Sequence, residues 1–311
     1  MLRRSFMLGT MALAGLLPAQ GGEAMTAVEA RMVAVRDAEL ATEARGQGER
    51  GTILLAMGAT ASMLWWPEAL IEALVAGGYR VIRFDHRDTG QSTTGAPGEV
   101  GYDIFDLAED LVAILDAYEV KAGHLVGMSL GAYVAQIAAL RHPDRVRSLT
   151  LIAAEPLGIS YEAEGIAPEL MAHFGAMGGL DWSDREAATQ FMLRIAELSA
   201  GPGRVFDRAE QRRRIERELD RAQNIQSAFN HASVGGELPE GMAAAGLRLP
   251  VLVVHGSDDP VISVHAAKAT VAAVPGAELL VLEGAGHELA EPDLPAIAAA
   301  VLGLAGRSVE D

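Results

Sequence analysis

His124-Leu125-Val126-Gly127-Met128-Ser129-Leu130-Gly131-Ala132-Tyr133 joins a short apolar run to a segment with helical spacing. Gly-Met-Ser-Leu-Gly at that junction predicts a sharp strand-to-helix turn that strains the serine backbone and lifts its hydroxyl clear of a sheet. Glycines flank the serine because side chains there would collide with neighbouring backbone. The helix that follows brings a free backbone amide, that of Leu130, to the same point. A bare Gly-x-Ser-x-Gly carries little weight, but this setting gives it a physical meaning.

Outward from this turn, apolar strands and amphipathic helices alternate. Strands are expected at Thr52–Met57, Tyr79–Phe84, His124–Val126 and Val146–Ala153, with helices at Pro67–Val75, Asp106–Tyr118 and Leu130–Leu140 between them. Upstream, Met32–Val35 and Ala38–Thr42 alternate like an antiparallel pair. The alternation lapses after Glu155-Pro156 and resumes with strands at Val251–Val254 and Glu278–Leu282 around a helix at Val264–Val274. This order predicts an α/β protein with a mostly parallel sheet, helices on both faces, and a helical cap inserted between two strands. The expected divisions are a core over 25–156 and 246–311 and a cap over 157–245. Within the cap, Arg208–Gln226 reads as a charged, solvated helix with pairs Glu210/Arg214 and Arg214/Glu218.

The 311 residues are 50% hydrophobic, enough for a large buried core. A formal charge of −17 argues against nucleic acid and anionic lipid as partners. No cysteine is present, which removes disulfides, thiolate metal sites and a cysteine nucleophile together. Residues 1–24 carry Arg3-Arg4, an apolar run from Leu8 to Leu17, and small residues after it. That is the pattern of an export signal with a twin-arginine flavour, and its apolar run is short for a membrane span. An exported or periplasmic protein is expected; translation from Met25 would instead leave a cytoplasmic one.

A serine hydroxyl needs a base before it can attack. Of eight histidines, His287 in Gly284-Ala285-Gly286-His287-Glu288 follows the last expected strand, and the base of such a triad comes last in chain order. His124 and His255 flank strands and read as packed residues, His142 closes a helix, and His173 and His231 read as capping or surface groups of the cap. A carboxylate must fix the imidazole's tautomer. His255-Gly256-Ser257-Asp258-Asp259 offers two neighbouring candidates after a strand. Gly58, after the strand at Thr52–Leu55, lets the chain turn its amides inward, so Ala59 N–H and Leu130 N–H are the candidate oxyanion donors. Trp66, Met171 and Phe174, with Trp65 and Met177, are candidates for the substrate-pocket wall, although the same spacing serves helix packing.

These residues resemble the α/β-hydrolase superfamily over nearly all of 25–305. Its acid stands in a Gly-x-x-Asp pattern, which falls on Gly256 and Asp259 and so prefers Asp259 to Asp258. The resulting order Ser129, Asp259, His287 is that superfamily's order. Met57-Gly58-Ala59-Thr60-Ala61-Ser62, Trp66-Pro67 and Asp85-His86-Arg87-Asp88-Thr89-Gly90-Gln91-Ser92 resemble the aclacinomycin methylesterase branch. The resemblance implies a serine hydrolase without metal or organic cofactor, acting on a small-molecule carboxylic ester, such as a methyl ester on a polycyclic skeleton. Asp85, His86, Arg87 and Asp88 are expected to hold the turn beneath the oxyanion loop. The quoted likeness does not reach the cap. Carbon–carbon bond hydrolases, amidases and cofactor-free perhydrolases use the same three groups, and a hydrolase-fold receptor remains a further alternative.

Overall fold

The computed structural model describes residues 27–162 and 164–307; the candidate export signal, 1–24, lies outside the described residues. Eight strands form one sheet: β1 (Glu29–Ala34), β2 (Glu39–Arg45), β3 (Thr52–Ala56), β4 (Arg80–Phe84), β5 (Gly123–Met128), β6 (Val146–Ile152), β7 (Val251–Gly256) and β8 (Glu278–Leu282). Their spatial order is β1-β2-β4-β3-β5-β6-β7-β8. The β1–β2 and β2–β4 pairs are antiparallel and all others are parallel.

Parallel strands need long crossovers, and helices supply them. These are α1 (Glu68–Ala76), α2 (Ile104–Ala117), α3 (Leu130–Arg141) and α7 (Val264–Ala273), while α8 (Leu294–Arg307) follows the last strand and packs back on the sheet. Side chains of β3 alternate between two cores, as the two-residue strand period requires. Leu54 and Ala56 join a cluster with α2, α3 and α7, whereas Ile53 and Leu55 join one with α1 and α8. Both faces of β3, β5 and β7 are therefore buried, which is why those strands read as continuous apolar runs. The capping box of Asp103 and Asp106 starts α2.

Between β6 and β7 lie α4 (Pro168–Gly175), α5 (Arg185–Ser199), α6 (Arg208–Arg221) and a 3-10 segment at Gln226–Ser233. Asp184 and Asp207 cap α5 and α6 by accepting from the amides of the second and third residues of each helix. These two helices pack through Met192, Leu193 and Ile215, and Trp65 of the core closes the cluster.

Candidate active site

Ser129 stands between β5 and α3 with φ 50° and ψ −117°, a conformation costing roughly 1–3 kcal/mol for a non-glycine residue. Its neighbours hold it there. Ser129 N–H donates to Ile152 O at 2.9 Å, and Tyr133 N–H donates to Ser129 O at 2.9 Å. A Cβ on Gly131 would stand 2.1 Å from Ala56 O, and one on Gly127 would stand 2.4 Å from Ala132 N. Only glycine at 131 lets the turn approach β3 so closely, and only glycine at 127 lets the start of α3 fold back on the end of β5. The serine hydroxyl makes no hydrogen bond among the described residues.

Two strands away, the turn after β7 presents Asp259. Its side chain is fully enclosed, and one oxygen accepts from Val261 N–H (2.8 Å) and Ile262 N–H (2.9 Å). The other oxygen lies 2.8 Å from His287 Nδ1, and His255 Nε2 is 3.4 Å from it. Burial alone would raise this carboxyl's pKa. Its opposing charge partner His287, His255 and the backbone amides outweigh burial and hold it well below the usual carboxylate range. Asp258 instead accepts from Ser257 Oγ at 2.6 Å on the exposed side of the turn. His287 lies on the loop after β8. The structure therefore joins Asp259 to His287 and sets both at the sheet edge that carries Ser129. It does not join His287 to Ser129 by a hydrogen bond.

The histidine loop is stitched to the cap turn that follows α5. His287 N–H donates to Ser199 O (2.8 Å), Gly203 N–H to Gly284 O (2.9 Å), and Gly201 N–H to Glu288 Oε1 (3.0 Å). Arg204 forks onto Asp293 with contacts of 2.7 and 2.5 Å, and reaches Glu283 O at 3.0 Å.

On the opposite flank, residues 57–63 follow β3. The amides of Ala59 and Leu130 donate to no backbone or side-chain group among the described residues. His86 Nε2 donates to Met57 O at 3.0 Å, and Met63 N–H donates to Asp85 Oδ1 at 2.9 Å. Burial, then the neighbouring His231, pushes His86 down to about 3, so it stays neutral. Arg87 and Asp88 are tied elsewhere: Arg87 pairs with Asp110 of α2, and Asp88 accepts from Gly95 N–H and Tyr102 O–H. Asp85 and His86 thus hold the loop after β3, and Arg87 and Asp88 hold its surroundings.

Several expectations need correction. Trp66 is a core residue at 1% exposure, filling the layer with Leu70, Ile71 and Leu74 of α1, and does not present a pocket wall. Met171 on α4 is 51% exposed, and Phe174 beside it is half-buried. His231 is neither capping nor superficial: it is 6% exposed and bonded to the core at both ring nitrogens. His255 packs as expected, with the addition that it faces the acid. The pairs Glu210/Arg214 and Arg214/Glu218 do not form. Glu210 engages Arg213 and Arg217, while Arg214 lies over Trp65 with 5.4 Å to the ring centroid. Glu218 is buried and accepts from Ser62 Oγ, and Arg221 meets Asp85 at 2.5 Å. Residues 214, 218 and 221 share one helical face, and docking of α6 on the core turns that face inward.

An open, mostly parallel sheet with polar groups gathered beyond its strand carboxyl ends defines an α/β protein whose site lies at that edge. A family model described as alpha/beta hydrolase fold matches residues 51–293, and the chain belongs to that family. It is similar to the rhodomycin D methylesterase DauP of Streptomyces sp. (strain C5), with 31% identity over 280 residues, covering 83% of this chain and 92% of the relative. The rhodomycin D methylesterase DnrP of Streptomyces peucetius matches at 31% over 278 residues, with the same coverage of both chains. A solved hydrolase from Pseudomonas aeruginosa PA01 superposes with a TM-score of 0.68 at 26% identity, covering 89% of this chain and 98% of that one. The likeness read from the loop after β3 and from the Asp85–Ser92 segment therefore extends over most of the chain.

Proposed function

We propose that this protein is a serine esterase that cleaves a carboxylic ester through an acyl-enzyme. Ser129 Oγ attacks the carbonyl carbon while His287 Nε2 takes the hydroxyl proton. Asp259 keeps His287 in the Nδ1–H tautomer and stabilises the imidazolium that forms. The unpaired amides of Ala59 and Leu130 receive the developing oxyanion, each contributing a factor of roughly 10² to 10³. His287 returns the proton to the departing alcohol, and water activated by the same imidazole then releases the acid and free Ser129.

The observation that carries this reading is the enclosed Asp259–His287 pair, 2.8 Å apart, at the sheet edge that presents a strained serine. The free hydroxyl of Ser129 fits a site whose proton-transfer contact tightens only when substrate seats. The scissile bond is a methyl ester, the bond for which the two Streptomyces relatives are named. Incubation with p-nitrophenyl acetate is expected to give a burst and an acetyl adduct on Ser129 by intact mass. Ser129→Ala is expected to lose both, with its circular dichroism unchanged. Undiminished turnover by that variant would remove Ser129 from the chemistry. Among a panel of carboxylic esters, methyl esters of polycyclic acids are expected to give the highest kcat/KM.

A further inference from the structure

The loop that carries Ala59 is gripped from two sides. Three consecutive peptide units matter: Met57–Gly58, Gly58–Ala59 and Ala59–Thr60. The carbonyl of the first accepts from His86 Nε2 at 3.0 Å. The N–H of the third donates to His231 Nδ1 at 3.0 Å. The unit between them holds Ala59 N–H, which has no partner among the described residues. Two imidazoles therefore pin the peptides on either side of the one that carries the proposed oxyanion donor.

His231 comes from the cap, 171 residues along the chain from Thr60. Its tautomer is dictated by its partners. A backbone N–H needs a bare Nδ1, and Arg87 O at 2.8 Å needs Nε2–H. Burial lowers the ring's affinity for a second proton, against the raising effects of Arg87 O and Asp88, which keeps Nδ1 free to accept. The ring cannot drift, because its segment is bonded to the core on the same side. Asn230 donates to Asp88 and Ala96 O and accepts from Gly98 N–H, and Ser227 donates to Gly95 O. Thr60 itself has φ 65°, a left-handed conformation that a threonine holds only with outside support.

We infer that His231 is a positioning residue for the oxyanion site: through Thr60 N–H it sets the orientation of the Ala59 amide. The cap thereby completes the catalytic apparatus of the core as well as roofing it. This inference rests on the esterase reading above. Loss of the His231–Thr60 bond frees the Ala59–Thr60 peptide to rotate, which misdirects the donor in the transition state and leaves ground-state binding of a small ester almost untouched.

Three variants separate positioning from packing. In His231→Asn, the side-chain oxygen stands where Nδ1 stood and can accept from Thr60 N–H. In His231→Gln, the amide reaches the Arg87 carbonyl but the Nδ1 position is lost. His231→Ala removes both contacts. With p-nitrophenyl acetate, the Gln and Ala variants are expected to lose about 10- to 100-fold in kcat, short of deleting a donor outright, with KM within about twofold. The Asn variant is expected to regain most of the loss. Affinity for an aryl trifluoromethyl ketone, whose adduct on Ser129 carries the oxyanion, should fall in step with kcat/KM across the set. Thermal melts on all three report folding. Equal losses in Asn, Gln and Ala with unchanged melts, or wild-type kcat in Gln and Ala, would overturn the role of His231 alone. A wild-type protein that turns over no ester would overturn the esterase reading and the inference with it.

Discussion

Asp259→Asn changes one atom of the carboxylate, and the surrounding donors decide which one. One oxygen already accepts two backbone N–H groups, from Val261 at 2.8 Å and Ile262 at 2.9 Å. An amide nitrogen there would face two donors, so the asparagine must turn its carbonyl to them. Its NH₂ then points at His287 Nδ1, where a carboxylate oxygen sat at 2.8 Å. An NH₂ can only donate, so Nδ1 must lose its proton and Nε2 must carry it. In that tautomer His287 cannot accept the Ser129 proton. A wrong-tautomer triad loses about 10⁴ in kcat, or about 5.5 kcal/mol of transition-state stabilisation. The measurement is kcat and KM for p-nitrophenyl acetate, with KM expected to stay within about threefold. Asp258→Asn is the control, since that side chain bonds only Ser257 Oγ on the exposed side of the turn, and it should retain wild-type kcat. A loss of less than tenfold in Asp259→Asn, or an equal loss in Asp258→Asn, would refute the tautomer argument.

Gly131→Ala would set a methyl 2.1 Å from Ala56 O, a backbone atom with no freedom to yield. A destabilisation of about 3 kcal/mol is expected, lowering the thermal midpoint by roughly 6–12 °C; an unchanged melt would contradict the close approach. Glu218 is pushed up to about 7, first by burial and then by Asp85, against Ser62 and Arg221. The folded state therefore holds a proton that the unfolded chain has released above about 4.5, and stability falls as pH rises between those values. Glu218→Gln should abolish that dependence, so its melting advantage over wild type should grow from pH 5 to pH 8 by up to about 3 kcal/mol; an advantage independent of pH would count against it. Arg204→Ala removes the fork onto Asp293 and the contact to Glu283 O. Faster hydrogen exchange at the Gly203 and His287 amides is expected, with a stability loss of about 1–3 kcal/mol; unchanged exchange there would show that Arg204 does not hold the histidine loop.

The turn around Ser129 was legible because its constraint is local. The requirement for glycine at 127 and 131, the strained serine and the start of α3 all lie within five residues of Ser129. The alternation of strands and helices was legible for a related reason. A strand buried on both faces must be mostly apolar, as Ile53–Ala56 and Val251–Val254 are. His287 and the Asp258-Asp259 turn could be placed because each follows a strand of the parallel set, whose ends meet at one edge; the resemblance then chose Asp259.

The inward turn of α6 was not legible. Beyond Ile215 and Leu219, its Arg-Ala-Glu-Gln-Arg-Arg-Arg-Ile-Glu-Arg-Glu-Leu-Asp-Arg run carries the composition of a solvated helix. Glu218 is buried and Arg221 half-buried because Ser62 and Asp85 meet them there, and those partners lie over a hundred residues away in the chain. The same holds for His231 against Thr60 and Arg87, and for Trp66, which could be a wall or a filler until α1 packed over it. Residue order alone decided the fold, the strained serine and the two turns that carry a carboxylate and an imidazole, since each follows from sterics or from a strand's end; packing decided that Asp259 and not Asp258 faces His287. Tertiary packing alone decided how the cap grips the loops on both sides of the site. A polar side chain becomes a buried anchor only when a distant partner repays its desolvation, and no local pattern records where that partner will stand.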